Sequence, residues 1–95
     1  MFSKRYIIYE SKGKGKEFTI SGYFIFEGEY LNGERNGKGQ EYSFGDVCFE
    51  GEYLNGKRNG KGKEYEGEDD ILLFEGEYLR GKRNGKGKEY KMMGN

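Results

Sequence analysis

The 95-residue chain has no proline, no histidine and no tryptophan, and its one cysteine is Cys48. Each absence excludes something. With a single thiol no intrachain disulfide can form, and a secreted domain this short would normally need such staples. Without histidine the commonest general base is missing. Without proline nothing forbids continuous strand pairing. Apolar runs are only a few residues long, too short for a transmembrane helix. The start, MFSKRYIIYE, lacks the apolar stretch of a signal peptide. The expected setting is therefore cytoplasmic, at most peripheral to a membrane or the cytoskeleton, unless the chain is a piece of something larger. An excess of either charge is missing too: 17 basic residues balance 17 acidic ones. That speaks against a nucleic-acid partner, which calls for a basic surplus.

What the chain does contain is aromatic and regular. Hydrophobic residues make up 33% of it, yet nine tyrosines and seven phenylalanines are spaced evenly along it. Disordered segments are poor in aromatics, and zero net charge removes the self-repulsion that keeps such chains open. The expectation is one folded domain with a thin, tyrosine-rich core.

The spacing comes from a repeat. FEGEYLNGKRNGKGKEY, residues 49–65, has near-copies at 26–42 and 74–90. The closing tyrosines Tyr42, Tyr65 and Tyr90 set periods of 23 and 25 residues. Residues 2–18 read as a fourth, decayed copy, with Phe2 opposite Phe26 and Tyr6 opposite Tyr30. End copies of repeat arrays are commonly atypical because they cap the stack.

Each copy reads as strand, turn, strand. The first strand alternates, with Phe24, Phe26, Gly28 and Tyr30 on one face and Ile25, Glu27 and Glu29 on the other. Later copies repeat this as Val47, Phe49, Gly51, Tyr53 and as Leu72, Phe74, Gly76, Tyr78. The Asn-Gly pairs that follow tolerate positive φ and mark a turn. The second strand is GKGKEY, whose glycines make sense if a neighbouring ring lies across them. SFGD and EGEDD read as linkers between copies. Eighteen scattered glycines argue against helix. First strands carry Glu50 and Glu52 and second strands Lys61 and Lys63, so stacked hairpins would form a ladder of alternating charge.

The sentence Phe49-x-Gly51-x-Tyr53, Gly56, Gly60-x-Gly62, Tyr65 resembles the MORN repeat family (membrane occupation and recognition nexus). The resemblance covers residues 26–90 strongly and 2–18 weakly. It implies an all-β fold: an elongated, twisted single-layer antiparallel sheet of consecutive hairpins. This chain departs in two ways. Phe and Tyr stand where the family often has Tyr and Trp. The closing aromatic sits three residues after the second glycine rather than two. A one-residue shift reverses a side chain's face, so the facing of Tyr42, Tyr65 and Tyr90 is open: either a bulge restores register or these rings face the other way.

Chemistry finds little to work with. Cys48 lies in a linker with no base near it in sequence, and the paired carboxylates Glu50 and Glu52 recur in other copies. Copied environments give copied pKa values, whereas acid and base need different ones. The Gly-Lys-Gly triplets lack the spacing of a phosphate loop, and EGEDD is not a calcium loop. No enzyme activity, cofactor or metal is expected. The leading expectation is a non-catalytic scaffold or protein-interaction module. Its candidate partner groove is the row Phe26, Tyr30, Phe49, Tyr53, Phe74 and Tyr78, although each ring taken singly is a packing residue first. The alternative is peripheral binding to acidic phospholipids, as the family name suggests, through Lys57, Arg58, Arg80, Lys82 and Arg83. The formal charge of successive copies rises from -2 to +1 to +2. Similar repeats occur beside kinase and methyltransferase domains, so a targeting module of a larger enzyme is a further alternative. The last strand would present an open edge, a route to a homo-oligomer, with Met92 and Met93 as thin cover.

Overall fold

The computed structural model describes residues 4–91. They form eight strands: β1 Arg5–Tyr9, β2 Lys14–Thr19, β3 Phe24–Leu31, β4 Glu34–Ser43, β5 Asp46–Leu54, β6 Lys57–Glu66, β7 Ile71–Leu79 and β8 Lys82–Glu89. A short 3-10 turn, Ser11–Gly13, joins β1 to β2. The strands pair strictly in sequence order, each antiparallel to its neighbour, in one open sheet. The molecule measures 43 × 29 × 29 Å. The expected single-layer antiparallel sheet of hairpins is therefore present. Phe2, Met92 and Met93 lie outside the described residues.

The turns follow from local chemistry. Asn55 and Gly56 link β5 to β6 with φ of 51° and 84°. Positive φ at both central residues makes the type I′ turn, whose twist suits the flanking strands. Asn32–Gly33 and Arg80–Gly81 repeat it between β3 and β4 and between β7 and β8. The SFGD segment is not a linker in the ordinary sense. Ser43 ends β4 and Asp46 begins β5, so only Phe44 and Gly45 turn the chain.

The register corrects the simple alternation expected of the first strands. Glu17 pairs with Phe26, but Phe18 pairs with Phe24, so Ile25 is an extra residue in β3. The same slip recurs at Cys48 (Glu41 with Phe49, Tyr42 with Val47) and at Leu73 (Glu64 with Phe74, Tyr65 with Leu72). Cys48 is thus a bulge residue within β5, not a linker residue. One extra residue reverses the face of everything before it. Phe24 therefore leaves the row of Phe26 and packs its ring 4.5 Å from that of Tyr42. Val47 and Leu72 likewise stand opposite Tyr42 and Tyr65.

The core lies on one face. It consists of Phe26, Phe49, Tyr53, Phe74 and Tyr78, which retain 0%, 0%, 4%, 6% and 4% of their exposure, with Tyr30 packed against them.

Candidate functional site

The two faces of the sheet do different things. On the first, aromatic rings interlock edge to face. Phe49 meets Tyr53 of its own copy at 5.8 Å and Tyr78 of the next at 5.1 Å. Phe26 meets Tyr30 at 5.7 Å and Tyr53 at 5.1 Å in the same way. Such pairs contribute about 0.5–1.5 kcal/mol each beyond their area. The rings lie over glycines. A Cβ at Gly62 would come 2.5 Å from Cζ of Phe49. The six residues of the expected groove are brought together, but as packed core: five are buried and Tyr30 is half-buried.

Arginines close this face. The guanidinium groups of Arg35, Arg58 and Arg83 lie over the rings of Phe26, Phe49 and Phe74 at 4.1, 4.0 and 4.1 Å. Each also donates to a carboxylate of the preceding copy. Arg58 donates two hydrogen bonds to Glu41, at 2.8 and 3.0 Å, and the Tyr53 hydroxyl donates a third. Arg35 and Tyr30 do the same for Glu17, and Arg83 and Tyr78 for Glu64. Burial works against the charge on Glu17 and Glu41, yet the bonds from arginine and tyrosine outweigh it and hold both carboxyls below their ordinary value. The Arg83 bonds do so at Glu64. Burial, and then the bond to a carboxylate, raises the hydroxyl pKa of Tyr30, Tyr53 and Tyr78. Sequence reasoning missed these glutamates. Their signal was a Glu directly before each closing aromatic, on the Phe face by parity: Glu17, Glu41, Glu64 and Glu89.

The second face answers the question about the closing tyrosines. Tyr42, Tyr65 and Tyr90 donate to Glu27, Glu50 and Glu75, so they face away from the core row. For Tyr42 and Tyr65 the bulge sits in the opposing strand, at Cys48 and Leu73, and from Gly39 and Gly62 to the closing tyrosine their own strand alternates without a break. Burial, then the carboxylate bond, pushes the Tyr42 and Tyr65 hydroxyls up to about 12.

Across this face runs an open channel of about 1170 Å³. Its floor is the backbone of the paired glycines Gly28–Gly39, Gly51–Gly62 and Gly76–Gly87. One wall carries Glu27, Gln40, Glu50, Lys63, Glu75 and Lys88, and the other Glu29, Lys38, Glu52, Lys61, Glu77 and Lys86. It crosses from β2 to β8, roughly 29 Å at ordinary strand spacing. The walls alternate in charge as the ladder predicts: Glu50 opposes Lys63, Lys63 opposes Glu75, and Lys61 opposes Glu77. Among the described residues, none of these three pairs closes to a direct ion pair. Glu50 and Glu75 accept from Tyr65 and Tyr90 instead, and among the described residues the Lys61, Lys63 and Glu77 heads make no side-chain bond.

The five candidate lipid contacts divide. Lys57, Arg80 and Lys82 are exposed at neighbouring turns on one sheet edge. An added Cβ at Gly81 would lie 4.0 Å from Cβ of Lys57. Arg58 and Arg83 instead point into the aromatic face, held by Glu41 and Glu64. Cys48 is half-buried, its thiol directed at the Glu41 carbonyl oxygen 3.5 Å away. Burial pushes its pKa up, the reverse of an activated nucleophile. Among the described residues, no helix is long and apolar enough to cross a membrane.

A family model described as MORN repeat matches residues 26–44, 49–65 and 74–95. No curated protein and no solved structure matches the chain.

Proposed function

The chain belongs to the MORN repeat family, and from that premise we propose that it is a non-catalytic protein-interaction module whose contact surface is the glycine-floored channel. The observation that carries this reading is the difference between the faces. The aromatic face is filled by its own rings and arginines, while the opposite face offers a continuous trough with polar walls. An extended polypeptide laid across the strands fits such a trough. It would meet lysine and glutamate alternately and would be selected by the order of its own charges. The Glu-Lys repetition gives every segment of the channel nearly the same chemistry, which suits recognition along a length and not catalysis at a point. A cytoplasmic setting accords with the single half-buried free thiol.

The test is affinity capture from cell extract with the chain and with a Lys38→Glu/Lys61→Glu variant, folding being checked by circular dichroism. Neither lysine side chain makes a hydrogen bond among the described residues, so the fold should survive. Loss of the captured proteins supports the channel. An unchanged set removes it.

A second reading rests on the turn edge. Lys57, Arg80 and Lys82 form a small exposed basic cluster that could meet acidic phospholipid head groups. Co-sedimentation with phosphatidylserine vesicles at two salt concentrations tests it, and no binding at low salt removes it.

A further inference from the structure

Strand β8 is exposed along its whole length. Inside the chain, each second strand meets the first strand of the next copy in one fixed register. On β6, Gly60 faces Tyr78, Lys61 faces Glu77, Gly62 faces Gly76, Lys63 faces Glu75 and Glu64 faces Phe74. β4 receives β5 in the same way. The tyrosine and arginine of the incoming hairpin then close on the glutamate. β8 presents the same series, Gly85, Lys86, Gly87, Lys88 and Glu89. Among the described residues its far side is empty. Among the described residues Glu89 holds only Arg83 of its own hairpin, whereas Glu64 holds Tyr78 and Arg83 of the next. Phe74 has Tyr78 against it but lacks the second edge-to-face tyrosine that Phe26 and Phe49 receive.

We propose that β8 is a docking edge for an acidic strand of another chain. That strand reads Phe-Glu-Gly-Glu-Tyr, with an arginine five residues after the tyrosine. It pairs antiparallel, its second glutamate facing Lys86 and its first facing Lys88. Its tyrosine and arginine bind Glu89. Charge selects this occupant over the two that a second copy could offer. Two β8 strands side by side would set Lys82, Lys86 and Lys88 against one another, and like charges on facing strands repel. Edge lysines are a common guard against such pairing. A second copy's β1, Arg5–Tyr9, carries no acidic residue to meet them. The proposal does not rest on the channel reading, because its bonds run along the sheet edge.

The test uses the full chain, labelled with nitrogen-15, and a synthetic peptide with the sequence of residues 49–58. The peptide should shift the amide signals of β8 selectively. Lys86→Glu/Lys88→Glu should weaken binding roughly tenfold, the scale of two reversed charge pairs. A peptide with both glutamates changed to lysine should restore it. Three results would each overturn the proposal: no shift at millimolar peptide, equal affinity for the acidic and basic peptides, or a concentration-dependent dimer of the chain alone, joined through β8.

Discussion

Glu41 in one copy grips Arg58 in the next through two N–H···O bonds of 2.8 and 3.0 Å. The same guanidinium lies on the Phe49 ring at 4.0 Å. Neither copy holds this arrangement alone. The arginine covers its own copy's phenylalanine and is anchored by the glutamate of the copy before. A thin core is enough because each hairpin finishes the packing of its neighbour.

A double-mutant cycle on this pair should show coupling. Glu41→Gln and Arg58→Gln should each cost about 1–3 kcal/mol, because each strands a partner in a half-buried place. Their interaction energy should fall within about 0.5–3 kcal/mol by denaturant melts. The cycle on Glu64 and Arg83 should give less, since Arg83 keeps 42% of its exposure against 27% for Arg58. Equal coupling at both sites would contradict this.

Gly62→Ala should destabilise the sheet. The new methyl would meet Cζ and Cε1 of Phe49 at 2.5 and 2.6 Å and Cε1 of Tyr78 at 3.1 Å. Both rings are locked between strands, so the cost is that of overpacking, about 1–3 kcal/mol. In a domain this size each kcal/mol lowers Tm by roughly 4–8 °C. An unchanged melting temperature would refute the ring-on-glycine packing.

Stability should fall at both ends of the pH range. Glu17, Glu41 and Glu64 have folded pKa values below the ordinary 4.5. A depressed carboxyl contributes stability above its unfolded pKa and loses it as pH falls through the folded one. Melts should therefore weaken progressively below about pH 4.5. The tyrosines behave oppositely. Tyr42 and Tyr65 are raised from 10.0 to about 12, with Tyr30, Tyr53 and Tyr78 raised too. Their contribution is whole below about pH 10 and is lost as pH rises toward 12. Tyrosinate absorbance should thus rise together with alkaline unfolding.

Arg80→Asn should stabilise the chain. Arg80 holds φ of 50° at the place where the two earlier copies have Asn32 and Asn55. Asparagine visits that region more easily than arginine, so a gain of a few tenths to about 1 kcal/mol is expected. A lower Tm for the variant would contradict the turn assignment.

Strands and turns were legible in the sequence because alternation and Asn-Gly pairs act locally. The bulges were not. Nothing in Ile25, Cys48 or Leu73 marks the residue that slips, since the slip is set by the strand across from it. For the same reason the sequence placed Phe24 on the core row and left Tyr65 undecided. The residues from Phe26 to Tyr78 share one face and pack together, but counting residues along a strand cannot tell an open groove from a filled one. That depends on Arg35, Arg58 and Arg83 folding back over the rings. The channel was hidden because its floor is glycine backbone and its walls look like an ordinary solvated surface.

The aromatic face holds the sheet together, and the channel face is the one proposed to receive a partner. The most direct measurement compares Tm and partner capture for two variants, Tyr53→Phe and Lys38→Glu/Lys61→Glu. Tyr53→Phe removes only the hydroxyl bound to Glu41. It should lower Tm while capture by the folded protein stays unchanged. The lysine reversals set glutamate opposite Glu52 and Glu77, so they should lower Tm somewhat as well, but they should abolish capture. The opposite pattern, capture lost with Tyr53→Phe and kept with the reversed lysines, would contradict the division between the faces.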